Sequence, residues 1–323
     1  MPKNLIQTRV DSDASPALLR GHVQFEIDLS VDAIAYTQLL PASCSTGRLA
    51  VYQHSISSLP LPSALWDAFQ RACRADASSQ QLGEILKGDA VLSASILRAA
   101  NTAGIIMRAP VNDVGRAIAR LGHSMVRSVV ARHSFSSGSS YAAKEYDLPM
   151  LWRHGMAVSA LAEVVARHIP GCNADEAGTL GLFHDVGRMG FNLITEFMQP
   201  AQRDAAKGHL IYEHERFGCT HIEMGEILAQ HWQLPEKIIQ GIHYHHHPAY
   251  ADASEIPAAI RAEVLAVYLA DLLAVRGGCG GGNPGMILPD ASFATMLPET
   301  TLAEIAKDKR VAAELALIQT VEF

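Results

Sequence analysis

At 323 residues, 49% of them hydrophobic and 18% charged, the chain can bury a substantial core and is too apolar to be disordered. Its 26 basic and 33 acidic residues leave a net charge of −7. That balance argues against a general nucleic-acid surface, which needs clustered Lys and Arg, though not against a small phosphorylated ligand held through bound cations. Five cysteines without a CxxC exclude a disulfide framework and a sulfur-rich zinc knuckle.

The opening MPKNLIQTRVDSD has no apolar run of signal-peptide length, so the cytoplasm is the expected compartment. Residues 1–50 read as a leader or packing arm, with one short strand candidate from Gln24 to Leu29. After SLPLPS a helical series begins near Ser63 to Ala75. Ser78 or Ser79 is placed to cap a short helix with Leu82, Ile85 and Leu86 as its stripe. Another helix runs from about Ala90 to Asn101, where the Asn101 amide is expected to satisfy backbone groups at the helix end or in the next loop. Asn112 or Asp113 caps the next, which ends at Leu121-Gly122, and Val126, Val129 and Val130 carry the pattern to a serine-rich loop at Ser134 to Ser140. That loop is the expected seam between a first lobe, 51–140, and a core, 141–276.

The second block opens after Pro149, with a stripe from Leu151 to Val165 that stops at Pro170-Gly171. Helices follow at Ala174 to His184, Thr220 to His231 and Pro235 to His243, then a long one from Pro257 to Val275. The most membrane-like stretch, Ile256 to Val275, holds Arg261, Glu263 and Asp271, which reads as a buried helix rather than a bilayer span. Residues 277–323 hold a glycine-rich turn and one closing helix, Thr301 to Thr320. The expected fold is all-α.

Chemistry concentrates in a few places. His184-Asp185 puts an imidazole and a carboxylate side by side at the end of an apolar helix, a pairing that suits zinc, iron or manganese, and a carboxylate can bridge two ions. Taken singly, His184 could merely satisfy its helix and His154 could be a core histidine. His221 opens an amphipathic helix, and His245 and His246 follow another. Asp271 sits among apolar residues, where an isolated carboxylate is costly without a cation or strong hydrogen bonds. His133, His168, His209, His214, His231 and His243 read as surface or interface histidines. Arg116, Arg120, Arg127 and Arg132 lie at near-helical intervals, and a solvated face explains them as well as DNA binding does.

Several segments together resemble the HDOD family, the signalling output branch of the HD phosphohydrolase superfamily, over roughly residues 52 to 275. They are SLPLPSALW, LKGDAVLSASILRAANTA, NDVGRAIARLGHSMVRSVV, LWRHGMAVSALAEVVA, GLFHDVGRMGF, ERFGCTHIEMGEILAQHWQLPEKIIQGI and the HHHP segment. The resemblance implies a helical first lobe followed by an HD-like helical core. It also implies a ligand set of His154, His184, Asp185 and Asp271 for one divalent ion, with Asp185 bridging to a second ion held by His221 and His245 or His246. Arg188 matches a basic residue that would hold a phosphoryl oxygen beside the Asp185 centre. The chain departs from the related HD-GYP phosphodiesterases after its double histidine, where it reads HHHPAY, and Met150 stands where some relatives carry an upstream carboxylate. Glu223 is a candidate carboxylate behind His221, or a solvent-facing one.

Two functions are compatible with these residues. One is a signalling or regulatory module that binds a protein partner or small phosphorylated ligand and contains one or two iron, manganese or zinc ions. The other is a metal-dependent phosphohydrolase or phosphodiesterase acting on a nucleotide or cyclic dinucleotide. The missing GYP segment favours the first.

Overall fold

The computed structural model describes residues 51–54, 56, 64–87, 90–102, 111–136, 146–194, 209–232, 234–280, 291–297 and 302–319. Among them there is no strand; the elements are α-helices joined by turns and short 3-10 segments. The strand candidate at Gln24 to Leu29 and the arm at 1–50 lie outside the described residues.

After a helical stretch at 51–54, the described residues form five helices: α1 (Ala64–Arg74), α2 (Ser79–Leu86), α3 (Ala90–Thr102), α4 (Val114–Leu121) and α5 (His123–Ser136). Their ends follow from side-chain chemistry. Ser78 and Gln81 form a reciprocal cap on α2, Ser78 N–H donating to Gln81 Oε1 (2.8 Å) and Gln81 N–H to Ser78 Oγ (3.3 Å). Asp113, of the two candidates, caps α4 by accepting from Arg116 N–H at 3.0 Å. Asn101 does what its position suggested. Its amide donates to Val111 O (3.0 Å) while its Oδ1 accepts from Val111 N–H (2.8 Å), pinning Val111, ahead of α4, to the end of α3. The serine-rich loop expected from Ser134 starts too early, because α5 continues through Ser136.

The remaining helices are α6 (Leu148–Ala166), α7 (Ala174–Phe183), α8 (Gly187–Ile194), α9 (His209–Phe217), α10 (His221–His231), α11 (Glu236–Tyr244), α12 (Arg261–Arg276), α13 (Leu302–Ala306) and α14 (Lys309–Gln319). Asp147 caps α6, with Pro149 in the first turn, and Asn173 caps α7. Helix α6 is the spine, packed on α7 and α12, with α5 and α14 also against it. Helix α10 lies on α8 and α11. The α6–α7 approach is close at Gly181, where a Cβ would come within 2.9 Å of Val158 O.

Several elements differ from the sequence expectation, helix α8 among them, which the sequence did not place. Helix α9 carries His209, Glu213, His214, Glu215 and Arg216 in nine residues, so its apolar stripe is too sparse to stand out; only Tyr212, Glu213 and Phe217 are buried. The closing helix is two, broken at Lys307-Asp308, where Asp308 Oδ1 accepts from Arg310 N–H (2.9 Å). The long helix starts at Arg261, and Pro257–Ile260 forms a turn ahead of it. No helix among the described residues is long and apolar enough to cross a membrane.

Candidate metal centre

His154 comes from the middle of α6, His184 and Asp185 from the turn between α7 and α8, His221 from the first position of α10, His245 and His246 from the end of α11, and Asp271 from α12. Their meeting depends on glycine at 187. A Cβ there would collide with the carbonyl of His221, so only glycine lets α8 and α10 approach closely enough to bring Asp185 beside His221.

The ring nitrogens are sorted by their partners. His154 Nδ1–H donates to Cys279 O (2.7 Å), His184 Nδ1–H to Gly181 O (2.8 Å) and His245 Nδ1–H to Ile242 O (2.6 Å), since a carbonyl can only accept. His221 Nδ1–H donates to the Glu213 carboxylate at 2.6 Å. With Nδ1 engaged in this way, each of these rings turns its Nε2 inward. Those of His154 and His184 each lie 3.6 Å from Asp185 Oδ2, and that of His221 lies 3.2 Å from Asp185 Oδ1. The Nε2 atoms of His221 and His245 are 3.2 Å apart, and that of His246 is 3.1 Å from His221. Buried His184 Nε2 and Asp185 Oδ1 have no hydrogen-bond partner. Imidazole nitrogens gathered around a buried carboxylate, two of the facing atoms without a hydrogen bond, form a donor set that a cation could satisfy.

Two ligand groups share one residue. The donor atoms of Asp185, His221, His245 and His246 lie within 4.8 Å of one another, as do those of His154, His184 and Asp185. This is an arrangement compatible with a divalent-metal site. Asp271 stands one step aside, its Oδ1 3.2 Å from His154 Nε2, with the side chain 18% exposed. All eight residues singled out in the sequence, Arg188 included, therefore fall in one neighbourhood.

Electrostatics follow the packing. Burial pushes the Asp185 carboxyl up, but Arg188, His184, His221 and His154 hold it well below the usual carboxylate range. Burial, and then neighbouring imidazoles, drive His245 and His246 well below the ordinary histidine value, keeping them in the neutral, ligating form. Burial lowers His184 too. His154 goes the other way: burial opposes its charge, and the Asp271 carboxylate outweighs it.

The sequence missed Glu213. Fully buried on α9, it accepts from His221 N–H (2.8 Å) and Nδ1–H (2.6 Å), from Tyr146 O–H (2.9 Å) and from Arg188 Nε–H (3.3 Å). Burial raises its pKa, and His221 and Arg188 more than reverse this, bringing it to about 2. The available signal was its place four residues before Phe217, on the face that α9 buries. Glu223 instead caps its own helix, accepting from Thr220 N–H at 2.6 Å. Arg188 also donates to Asp185, so both its partners are carboxylates of the site. Met150 is exposed and plays no part in the cluster.

Comparison with known proteins supplies the frame. A curated protein of Treponema pallidum (strain Nichols), uncharacterized, is 24% identical over 237 residues; the match spans 70% of this chain and 45% of the relative, so the chain covers less than half of that protein's length. An HDOD domain protein of unknown function from Geobacter sulfurreducens superposes with a TM-score of 0.57 at 22% identity, covering 83% of this chain and 93% of that one. A candidate phosphohydrolase from Shewanella amazonensis SB2B gives 0.55 at 22% identity, covering 84% and 98%. A candidate signal transduction protein from Marinobacter aquaeolei VT8 gives 0.57 at 18%, covering 85% and 65%. At these identities the structural likeness speaks for the fold alone. The HDOD domain profile matches residues 59–248, more than half of the chain and every singled-out residue except Asp271, and the chain belongs to the HDOD family.

Proposed function

We propose that the protein is a cytoplasmic signalling or regulatory HDOD module, with a helical lobe over 51–140 and an HD-like core over 141–276 built around a divalent-metal centre. The observation that carries the metal reading is the inward convergence of imidazole Nε2 atoms on Asp185, with His184 Nε2 and Asp185 Oδ1 left without a hydrogen bond. His154, His184, Asp185 and Asp271 would hold one ion, and Asp185, His221 and His245 or His246 a second. Zinc, iron and manganese all suit this donor set. The partner in this reading is a signalling protein or a small phosphorylated ligand.

The regulatory role is favoured over hydrolysis by Arg188. A guanidinium that is to grip a phosphoryl group is here held by Asp185 and Glu213, and must leave them to act. The second reading, a phosphohydrolase or phosphodiesterase, draws on the shared position of Asp185 between two ligand groups. Bound ions would supply Lewis acidity and neutralise charge on a phosphoryl oxygen. Arg188 would orient the phosphate, and the neutral imidazoles would keep their lone pairs available.

Elemental analysis of untagged protein, alone and as Asp185→Asn, tests the metal reading. About one to two ions per chain are expected in wild type. Asp185→Asn is expected to lose at least the second ion with helicity unchanged. Protein that cannot be loaded with zinc, manganese or iron sinks the metal reading. Equal metal content in the two proteins refutes the bridge. Turnover of an aryl phosphodiester or cyclic dinucleotide that vanishes in Asp185→Asn and falls in Arg188→Ala would place the enzyme reading first.

A further inference from the structure

The two oxygens of Asp185 have different surroundings. Oδ1 lies 3.2 Å from His221 Nε2 and 3.9 Å from His245 Nε2, and it accepts no hydrogen bond. Oδ2 lies 3.6 Å from both His154 Nε2 and His184 Nε2, and it accepts from Arg188 Nη1. The carboxylate shared by the two ligand groups is therefore open on one side and engaged on the other.

The groups differ in their donors as well. The His221 group offers four donor atoms, three imidazole nitrogens and Oδ1, the number that a closed zinc site uses. The His154 group offers three, and its His154 Nε2 also faces Asp271 Oδ1 at 3.2 Å. Arg188 is firmly seated between them. Its side chain is 13% exposed, and its Nε–H donates to Glu213 Oε1 at 3.3 Å, while the other oxygen of Glu213 holds the His221 ring. A guanidinium does not give up its proton, so a metal ion at Oδ2 would share that atom with a second cation, and the two repel.

Resting on the metal reading above, we propose that Arg188 is a built-in counter-cation that makes the two ligand groups unequal. The His221 group takes an ion with Arg188 in place, whereas the His154 group takes one only as Arg188 gives up Asp185 Oδ2. Glu213, which holds Nε and not Nη1, keeps the displaced guanidinium at the site. Filling the His154 group thus turns Nη1 from the protein's own carboxylate towards an anionic ligand, and the grip on that ligand depends on full metal loading. Arg188 is a positioning residue in this scheme, acting on metal occupancy through Asp185.

Stepwise zinc titration of the chelator-treated full chain, read by competition with a chromophoric chelator, tests this. Wild type is expected to bind one zinc tightly and a second at least about tenfold more weakly. Arg188→Gln keeps a hydrogen-bonding side chain without the charge; it should tighten the weak ion about tenfold or more and leave the tight one unchanged. His246→Ala should remove the tight ion, and His184→Ala the weak one. Crystals grown with excess zinc should show Arg188 Nη1 away from Asp185 Oδ2. Two ions of equal affinity in wild type, no gain at the weak ion in Arg188→Gln, loss of the tight ion in His184→Ala rather than His246→Ala, or an intact Arg188–Asp185 pair beside two ions each overturns the inference and leaves the metal reading standing. Protein that takes up no zinc, manganese or iron overturns both. If Arg188→Gln fails to fold, the histidine variants and the crystals still decide.

Discussion

Glu213 shows how much a single buried carboxylate can organise. It satisfies the backbone N–H and the ring of His221, the Tyr146 hydroxyl and Arg188 Nε, and so fixes which nitrogen of His221 turns inward. Tyr146 is itself held by Asn192, which accepts from Tyr146 N–H (2.9 Å) and donates to Tyr146 O (2.8 Å). Glu213→Gln keeps the shape and loses the charge that orients the imidazole; metal affinity at the His221 side should fall about 10–100-fold, read by chelator competition. Glu223→Gln is the control. It caps α10, so it should cost about 1 kcal/mol in denaturant unfolding and leave metal content alone.

At the scale of elements, two contacts decide whether helices arrive in register. Asn101 ties the end of α3 to Val111 with paired hydrogen bonds, and a residue of this kind stabilises without touching the site. Asn101→Ala should lower stability by about 1–3 kcal/mol with metal content unchanged; unaltered melting would contradict that role. Gly187 acts on the site through packing. A side chain there meets the His221 carbonyl and the amide of Gly225, 2.6 Å away, so Gly187→Ala must push α8 from α10. The expected result is a destabilised protein that binds less metal even when folded. Full metal content at wild-type stability would show that the α8–α10 approach does not set the geometry.

Across the whole molecule, the first helices are tied to the core by a buried charge. Arg127 on α5 reaches Glu163 on α6 and Asp175 on α7, which takes this one arginine out of the solvated face, while Arg116 is exposed as expected. Burial raises the Glu163 carboxyl to about 7, with Arg127 pulling against the shift. A folded-state pKa above the ordinary 4.5 means that the folded chain holds a proton the unfolded chain releases. That stability is complete below 4.5 and drains away as pH rises through about 7. Wild type should therefore lose stability between those values, by no more than about 3 kcal/mol, and Glu163→Gln should flatten that slope. Parallel urea titrations across the window would expose a wrong sign at once.

Apolar periodicity and end signals determined most of the helices, because both are local: a cap at Ser78 or Ser79, one at Asn112 or Asp113 and the Leu121-Gly122 stop could be read from neighbours a few residues away, and the fold chose Ser78 and Asp113. The candidate ligands were legible for a related reason, since imidazole beside carboxylate, or a carboxylate in an apolar run, is chemically conspicuous wherever the chain puts it. What only the tertiary structure decided were relations between distant segments. Glu213 looked like one more charge in a polar helix until α9 packed it under His221, and Arg127 looked like surface until α6 and α7 closed over it. Asp185 became the residue shared by two ligand groups only when α8 and α10 met at Gly187. The choice among acceptors and donors belongs to packing, because burial removes water as the alternative partner and leaves each group only the neighbours that the fold brings to it.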